Sequence, residues 1–209
     1  MPRQAGSCRS CRTLGSTKTH AMPHALCFPD AVPVLVGEAL HLRELTENDI
    51  PAWFERATDA ESADLAGDPI PESIEAGAQW LERHRDRFRQ QTAIRWAIVP
   101  KGSAASVGTV GLAIVSREER LADLGIVVGR ALWGRGIGAS AARLVIGYAF
   151  ATLGLAEIQA EVLQRNVASI RLLSKLGFRL LRHVPGEPQA SGEVENCSLY
   201  VLRSIQRAV

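Results

Sequence analysis

A chain of 209 residues, 46% hydrophobic and 22% charged, has the make-up of one globular domain with an added tail and excludes a disordered chain. A formal net charge of +2 excludes a strongly basic nucleic-acid binder or a surface built for acidic membranes. The chain start is basic but lacks a continuous apolar core, so no secretory leader is expected. Cys8, Cys11, Cys27 and Cys197 then read as free thiols in a reducing cytoplasm.

Residues 1–32 are rich in Ser, Thr, Cys, Arg and Pro and carry no periodicity, which predicts a disordered N-terminal extension before a domain spanning 33–209. The run Cys8-x2-Cys11-x8-His20-x3-His24 has zinc-ligand chemistry. Its middle gap is shorter than a zinc finger's and no apolar residues are set to pack beneath a metal, so none is expected. Met22 is an alternative start that would remove both paired cysteines.

Order is expected from near Val34. Leu40, Leu42 and Leu45 follow a strand pattern, and Thr46-Glu47-Asn48-Asp49 opens a helix carrying Ile50, Trp53 and Phe54. Asp68-Pro69-Ile70-Pro71-Glu72 breaks the chain before a second helix over 72–90, with Ile74, Ala78, Leu81 and Phe88 near one face. Its arginines, Arg83 to Arg89, read as a solvated face. Strands over 95–99, 107–115 and 121–128, joined by short polar turns, predict an antiparallel meander. A helix over 138–153, a strand over 157–163, a helix over 166–176 and strands over 178–184 and 198–202 complete an α/β chain with a mixed sheet. Gly138–Ala156 is apolar enough to suggest a membrane span. Arg143 within it and the stripe Leu144, Val145, Tyr148 and Thr152 favour a buried helix instead, so no membrane is expected as partner.

Trp133-Gly134-Arg135-Gly136-Ile137-Gly138 runs from a strand end into a helix start. Glycines there let the backbone turn tightly and approach a ligand, and the first-turn amides with the helix dipole favour a phosphate group. Arg135 can add a charged contact. The same glycines would also serve a turn that merely lets helix and strand pack. A P-loop is excluded, because no Lys-Ser or Lys-Thr follows the second glycine. Gly134, Gly136 and Ala139 satisfy a dinucleotide fingerprint, but the loop follows a meander and no acidic residue ends the next strand, where Leu163-Gln164-Arg165 stands.

The stretch Ala122 to Phe178 resembles the GNAT superfamily of N-acetyltransferases, through Asp123-Leu124-Gly125, Trp133 to Gly138, Tyr148-Ala149-Phe150, Asn166 to Ser169 and Lys175-Leu176-Gly177-Phe178. It is similar to the RimJ/RimL-like branch of ribosomal-protein N-terminal acetyltransferases, which shares Trp133 where most relatives carry Gln or Arg. The resemblance implies a GNAT fold: a mixed central sheet, an antiparallel N-terminal meander, a parallel split between the fourth and fifth main strands, and about four flanking helices. It implies acetyl-CoA as co-substrate. The amides of Arg135, Gly136, Ile137, Gly138, Ala139 and Ser140 would hold the pyrophosphate, Asn166 would touch CoA, and the pantetheine arm would enter the split. Backbone amides at Val127 and Val128 would serve as oxyanion donors.

Acyl transfer to an amine needs a proton removed from the ammonium and donors for the developing oxyanion. Glu161 matches a catalytic glutamate of some ribosomal-protein acetyltransferases and is the first candidate base. Asp123 is the second, and Ser169 the candidate acid. The tyrosine that some relatives use is Leu173 here. Asn166 also suits a helix N-cap, and Gly177 a left-handed C-cap with Phe178 packing back on Leu173. Trp133 is expected to pack beneath the loop. Asp59, Glu61, Asp64, Asp68, Glu72 and Glu75 cluster between and within the early helices and suggest a cationic amine or basic peptide N-terminus as acceptor. The expected protein is thus a monomeric or homodimeric N-acetyltransferase acting directly on a protein α-amine or small-molecule amine. The alternative is a catalytically weak acyl-CoA-binding module on the same fold.

Overall fold

The computed structural model describes residues 25–66, 69–186 and 195–204. The first helical turn is fixed by charge. Asp49 accepts the Thr46 amide at 2.9 Å and both arms of Arg43 at 2.7 and 2.9 Å while only 1% exposed. Burial alone would raise its carboxyl. The Arg43 and Thr46 hydrogen bonds, with the Arg43 charge, outweigh that and hold it below the usual carboxylate range.

From that turn runs α1 (Ile50–Ala57), then α2 (Ala60–Ala66), α3 (Ala76–Arg89), α4 (Ile137–Tyr148) and α5 (Val167–Lys175). The strands are β1 (Leu35–Val36), β2 (Leu40–Glu44), β3 (Ala93–Pro100), β4 (Gly108–Ser116), β5 (Leu121–Val128), β6 (Glu157–Leu163), β7 (Arg179–Val184) and β8 (Cys197–Arg203). They form one sheet in the order β1-β2-β3-β4-β5-β6-β8-β7. β1 to β5 make the antiparallel meander, and β5 and β6 are the parallel pair, as the resemblance implied.

Strand alternation sends Leu42, Trp96, Ile98, Val110, Leu112, Ala122, Ile158 and Ala160 to one face. There they meet Ala141, Ala142 and Val145 of α4 in the main core. On the other face, Ala97 and Val99 pack with Leu45, Trp80 and Leu81 in a smaller core. The Trp53 and Trp80 rings stack at 5.2 Å, joining α1 to α3. Among the described residues this second layer packs on the β2–β3 side, and around β5 and β6 the same face carries the half-buried Asp123 and Gln159 and the exposed Glu161.

Several elements depart from the sequence reading. The helix expected from 72 starts at Ala76, because Ala76 and Gly77 donate to the carbonyls three residues back, a turn rather than an α-helix. The short α2 was not anticipated. The helix expected over 138–153 ends at Tyr148 and continues as a π-helical turn, Ala149–Leu153, closed by Gly154 at φ 77°. Order begins ahead of Val34: the Cys27 amide donates to Leu153 O at 3.0 Å, Phe28 is 8% exposed in the core, and Trp96 Nε1 donates to Pro33 O at 2.8 Å. Cys8, Cys11, His20, Met22 and His24 lie outside the described residues. After α5, Gly177 at φ 89° and the bonds Phe178 N–H to Leu173 O and Gly177 N–H to Ser174 O close a Schellman cap. Among the described residues no helix is long and apolar enough to cross a membrane, and no group of three His, Cys, Asp or Glu could hold a metal.

Candidate active site

The β5–β6 ladder is short. It joins Leu121, Ala122 and Asp123 to Glu157, Ile158 and Gln159 and then stops, although β5 stays paired to β4 through Val128 and β6 to β8 through Leu163. Two strand edges are therefore left facing each other across a split. In an antiparallel ladder alternate residues turn their backbone groups to the same side. The Gly129 amide donates to Val107 O, and a Cβ on Gly108 would fall 2.3 Å from Val127 O. Val127 therefore faces β4, and Ile126 and Val128 face the split. Of the two residues expected to donate to an oxyanion, only Val128 is turned the right way. Its carbonyl is taken by the Trp133 indole N–H at 2.7 Å. Trp133 is 37% exposed, so it braces the strand end rather than packing beneath the loop.

Beyond β5, Gly134 and Gly136 adopt φ 76° and 78°, a region costly to other residues, with open space where a Cβ would stand. Gly136 is the N-cap of α4, and no side chain caps it. The first bond of the helix runs from Ser140 N–H to Gly136 O at 3.0 Å. The amides of Ile137, Gly138 and Ala139 thus open the helix without an intrahelical acceptor, beside the exposed Arg135. Uncapped donors, an open cradle and a split strand pair fit a pyrophosphate joined to an amide-bearing arm.

On that second face, Asp123 of β5 and Glu161 of β6 come together. Asp123 is half-buried, and burial pushes its carboxyl above the usual range; a Gln159 hydrogen bond opposes this and the Glu161 charge adds to it. Glu161 is exposed, and the nearby Cys197 thiol is held above the ordinary thiol range by burial first and by this carboxylate second. Asn166 caps α5, its Oδ1 accepting the Ser169 amide at 3.0 Å, while its Nδ2 donates to Leu65 O at 3.4 Å. That side chain is thus engaged at both ends. Ser169 is half-buried in the first turn of α5.

The early acidic residues are not an open cluster. Arg130 pairs with Asp59 at 3.5 Å and Glu61 at 2.8 Å, and Arg165 pairs with Asp64 at 2.6 Å and with Glu195. Three of the carboxylates expected to attract an amine are already matched by arginines; Asp68 lies outside the described residues. Arg130 follows β5 and Arg165 follows β6, so α2 bridges the two lips of the split.

Two contributions were missed in the sequence. Arg95 of β3 lies across β4, with Nε and Nη2 donating to Thr109 Oγ1 at 3.1 and 2.9 Å and Nη1 to Gly125 O at 3.4 Å. Arg56 of α1 is buried beside Gly129, donates to Ala52 O at 2.7 Å and is pushed down by burial to about 10, which leaves it a cation. Neither carries a motif. Each becomes visible only when strands and helices are laid side by side.

A split parallel pair above a glycine-rich helix start, with acids on the second face, defines an acyl-CoA-dependent transferase site. The sequence model of the acetyltransferase (GNAT) domain matches residues 39–179. The chain is similar to the uncharacterised N-acetyltransferase YoaA of Bacillus subtilis, 31% identical over 147 residues that cover 70% of this chain and 83% of that one. Its fold is similar to a GNAT-family acetyltransferase from Bacillus anthracis (TM-score 0.72, 17% identity, 82% and 98% of the two chains). It is also similar to spermidine N-acetyltransferase from Vibrio cholerae in complex with CoA and spermine (TM-score 0.69, 18% identity, 79% and 95%). The chain belongs to the GNAT acetyltransferase family and is an acetyl-CoA-dependent N-acetyltransferase.

Proposed function

We propose that the protein acetylates a primary amine, a small-molecule amine or a protein N-terminal α-amine, by direct attack, and that Glu161 is the base. The observation that carries this is the meeting of Asp123 and Glu161 on the second face where the β5–β6 ladder ends. Bound acetyl-CoA supplies an acyl thioester. The amides of Arg135 to Ser140 grip its pyrophosphate, and the Val128 amide, turned into the split, donates to the carbonyl oxygen as charge develops. Glu161 takes the ammonium proton, being the exposed member of the pair. Asp123 relays the proton through water. Ser169 supplies a proton to the leaving thiolate. Trp133 in the loop supports placement in the RimJ/RimL-like branch.

Free-thiol release from acetyl-CoA with a panel of amines and a peptide library tests this. Glu161→Gln is expected to lower kcat about a hundredfold or more, the usual range for a lost general base, with acetyl-CoA KM unchanged. In the wild type, the acid limb of kcat/KM should lie above the ordinary carboxylate range, because Asp123 is raised, and Asp123→Asn should move that limb down. Acetyl-CoA binding without thiol release from any amine would favour the regulatory-module reading.

A further inference from the structure

An exposed strand edge offers a carbonyl and an amide at every second residue, so an incoming amide can pair with it at any of these stations. On β5 the stations turned into the split include Ile126 and Val128. On β6 the Gln164 amide donates to Asn196 O at 3.0 Å, on the β8 side, so Leu163 is turned into the split. The last carbonyl on each lip is already taken. Trp133 Nε1 donates to Val128 O at 2.7 Å, and the Asn166 amide donates to Leu163 O at 2.9 Å. What the two lips present at this end is therefore N–H rather than C=O.

An acyl-CoA arm carries two amides, each with an N–H and a C=O, and ends in a thioester that has a C=O and no N–H. A strand edge cannot separate these groups by its donors, because all three carry a carbonyl. A withheld acceptor does separate them: a station with its carbonyl covered suits the thioester and would leave an amide N–H unpaired, which is costly away from water. Stations recur every two residues, about 6–7 Å, so an arm slipped by one would hold the thioester that far from the Val128 amide. A carbonyl has two lone pairs, but the bicyclic indole that takes one also crowds the approach to the other. Trp133 is 37% exposed and belongs to neither hydrophobic core, so this hydrogen bond, not packing, places its ring.

We propose that Trp133 is a positioning residue that sets the register of the acyl-CoA arm: it covers the Val128 carbonyl against the arm's amides and leaves the Val128 amide to the thioester carbonyl. This rests on the acetyl-transfer reading above and deepens it with a residue that acts through Val128 rather than on the reacting atoms. The Asn166 amide covers the other lip in the same way.

The test uses the full chain with acetyl-CoA. Trp133→Phe keeps an aromatic ring and removes the N–H, and Trp133→Gln puts back a donor on a side chain of similar reach. In Trp133→Phe the uncovered carbonyl lets acetyl-CoA bind one station out of place. Both kcat and the KM for acetyl-CoA should then fall together by about fivefold or more, the scale of one hydrogen bond, while kcat/KM stays near wild type. Trp133→Gln should return both constants towards wild type. A ring that only braces the strand end gives a different split: a higher KM for acetyl-CoA, a lower kcat/KM and a lower melting temperature. That result, or a Trp133→Phe variant identical with wild type, overturns the proposal. A crystal structure of the full chain with CoA gives a readout independent of turnover. The indole should remain on Val128 O with the arm's amides paired at other stations, and an arm amide on Val128 O overturns the proposal. Binding of acetyl-CoA without thiol release from any amine overturns acetyl transfer, and the crystal structure still decides the register; thiol release with an arm amide on Val128 O keeps acetyl transfer and overturns the Trp133 assignment.

Discussion

Gly136 and Gly138 are one residue apart in the loop but do different work. Gly136 holds φ 78°, so an alanine there meets no neighbouring atom yet must adopt a left-handed backbone. That costs about 1–2 kcal/mol and tilts the amides that follow. Gly138 is already in the helix, and its added methyl would rest 3.6 Å from Leu172 Cδ2, an ordinary contact. Gly136→Ala is therefore expected to weaken CoA binding about tenfold by calorimetry, whereas Gly138→Ala keeps both binding and melting temperature close to wild type. Equal losses in the two variants would mean that bulk, not backbone conformation, limits the cradle. The loop was legible in the sequence because such conformations leave glycines behind. Arg95 was not, since its bonds to Thr109 and the Gly125 carbonyl depend on other strands brought beside β3.

The short helix α2 takes its importance from what it connects. Asp59 and Glu61 reach Arg130 on one lip of the split, while Asp64 and the Leu65 carbonyl meet Arg165 and Asn166 on the other. Seven residues, Ala60 to Ala66, are too few to show an apolar stripe, so no local pattern announces this helix. The acidic cluster was visible in sequence, but its ion pairs were not, because the balancing arginines lie about 70 to 100 positions away. If α2 is a strap over the acceptor side, Asp64→Asn and Arg165→Gln should act alike. Each would raise amine KM severalfold and make it less sensitive to salt, with CoA binding unchanged, because exposed pairs are screened by added ions. If Asp64 instead bound the amine directly, Arg165→Gln would release a carboxylate and lower KM. Steady-state kinetics of the two single variants at low and high salt decides between them.

At the scale of the whole molecule, the meander followed by β6, α5 and the last two strands was legible, because strand alternation and short polar turns are local signals. What escaped was long-range. Phe28 docks on Phe88 with ring centroids 5.4 Å apart, and β8 inserts between β6 and β7, contacts that no local pattern encodes. The second core has a consequence for stability. His84 of α3 packs edge-on against Trp80 at 5.3 Å, and burial, reinforced by the charges of Arg95, Arg83 and Arg87, pushes its imidazole from 6.5 down to about 3. The unfolded chain takes up a proton below pH 6.5 that the folded protein refuses, so His84 makes stability fall as acid is added, from 6.5 down to about 3. The slope is at most about 1.4 kcal/mol per pH unit. Asp49, held below its ordinary range, adds a further loss only in more acidic solution, whereas Asp123, held above, protonates first in the folded state and works in the opposite direction. Comparing wild type with His84→Gln cancels both carboxylates. Urea midpoints should diverge steadily below pH 6.5, the variant losing less, and should run parallel above it. Parallel curves throughout would show that His84 takes up its proton without opening the packing between α3 and the sheet.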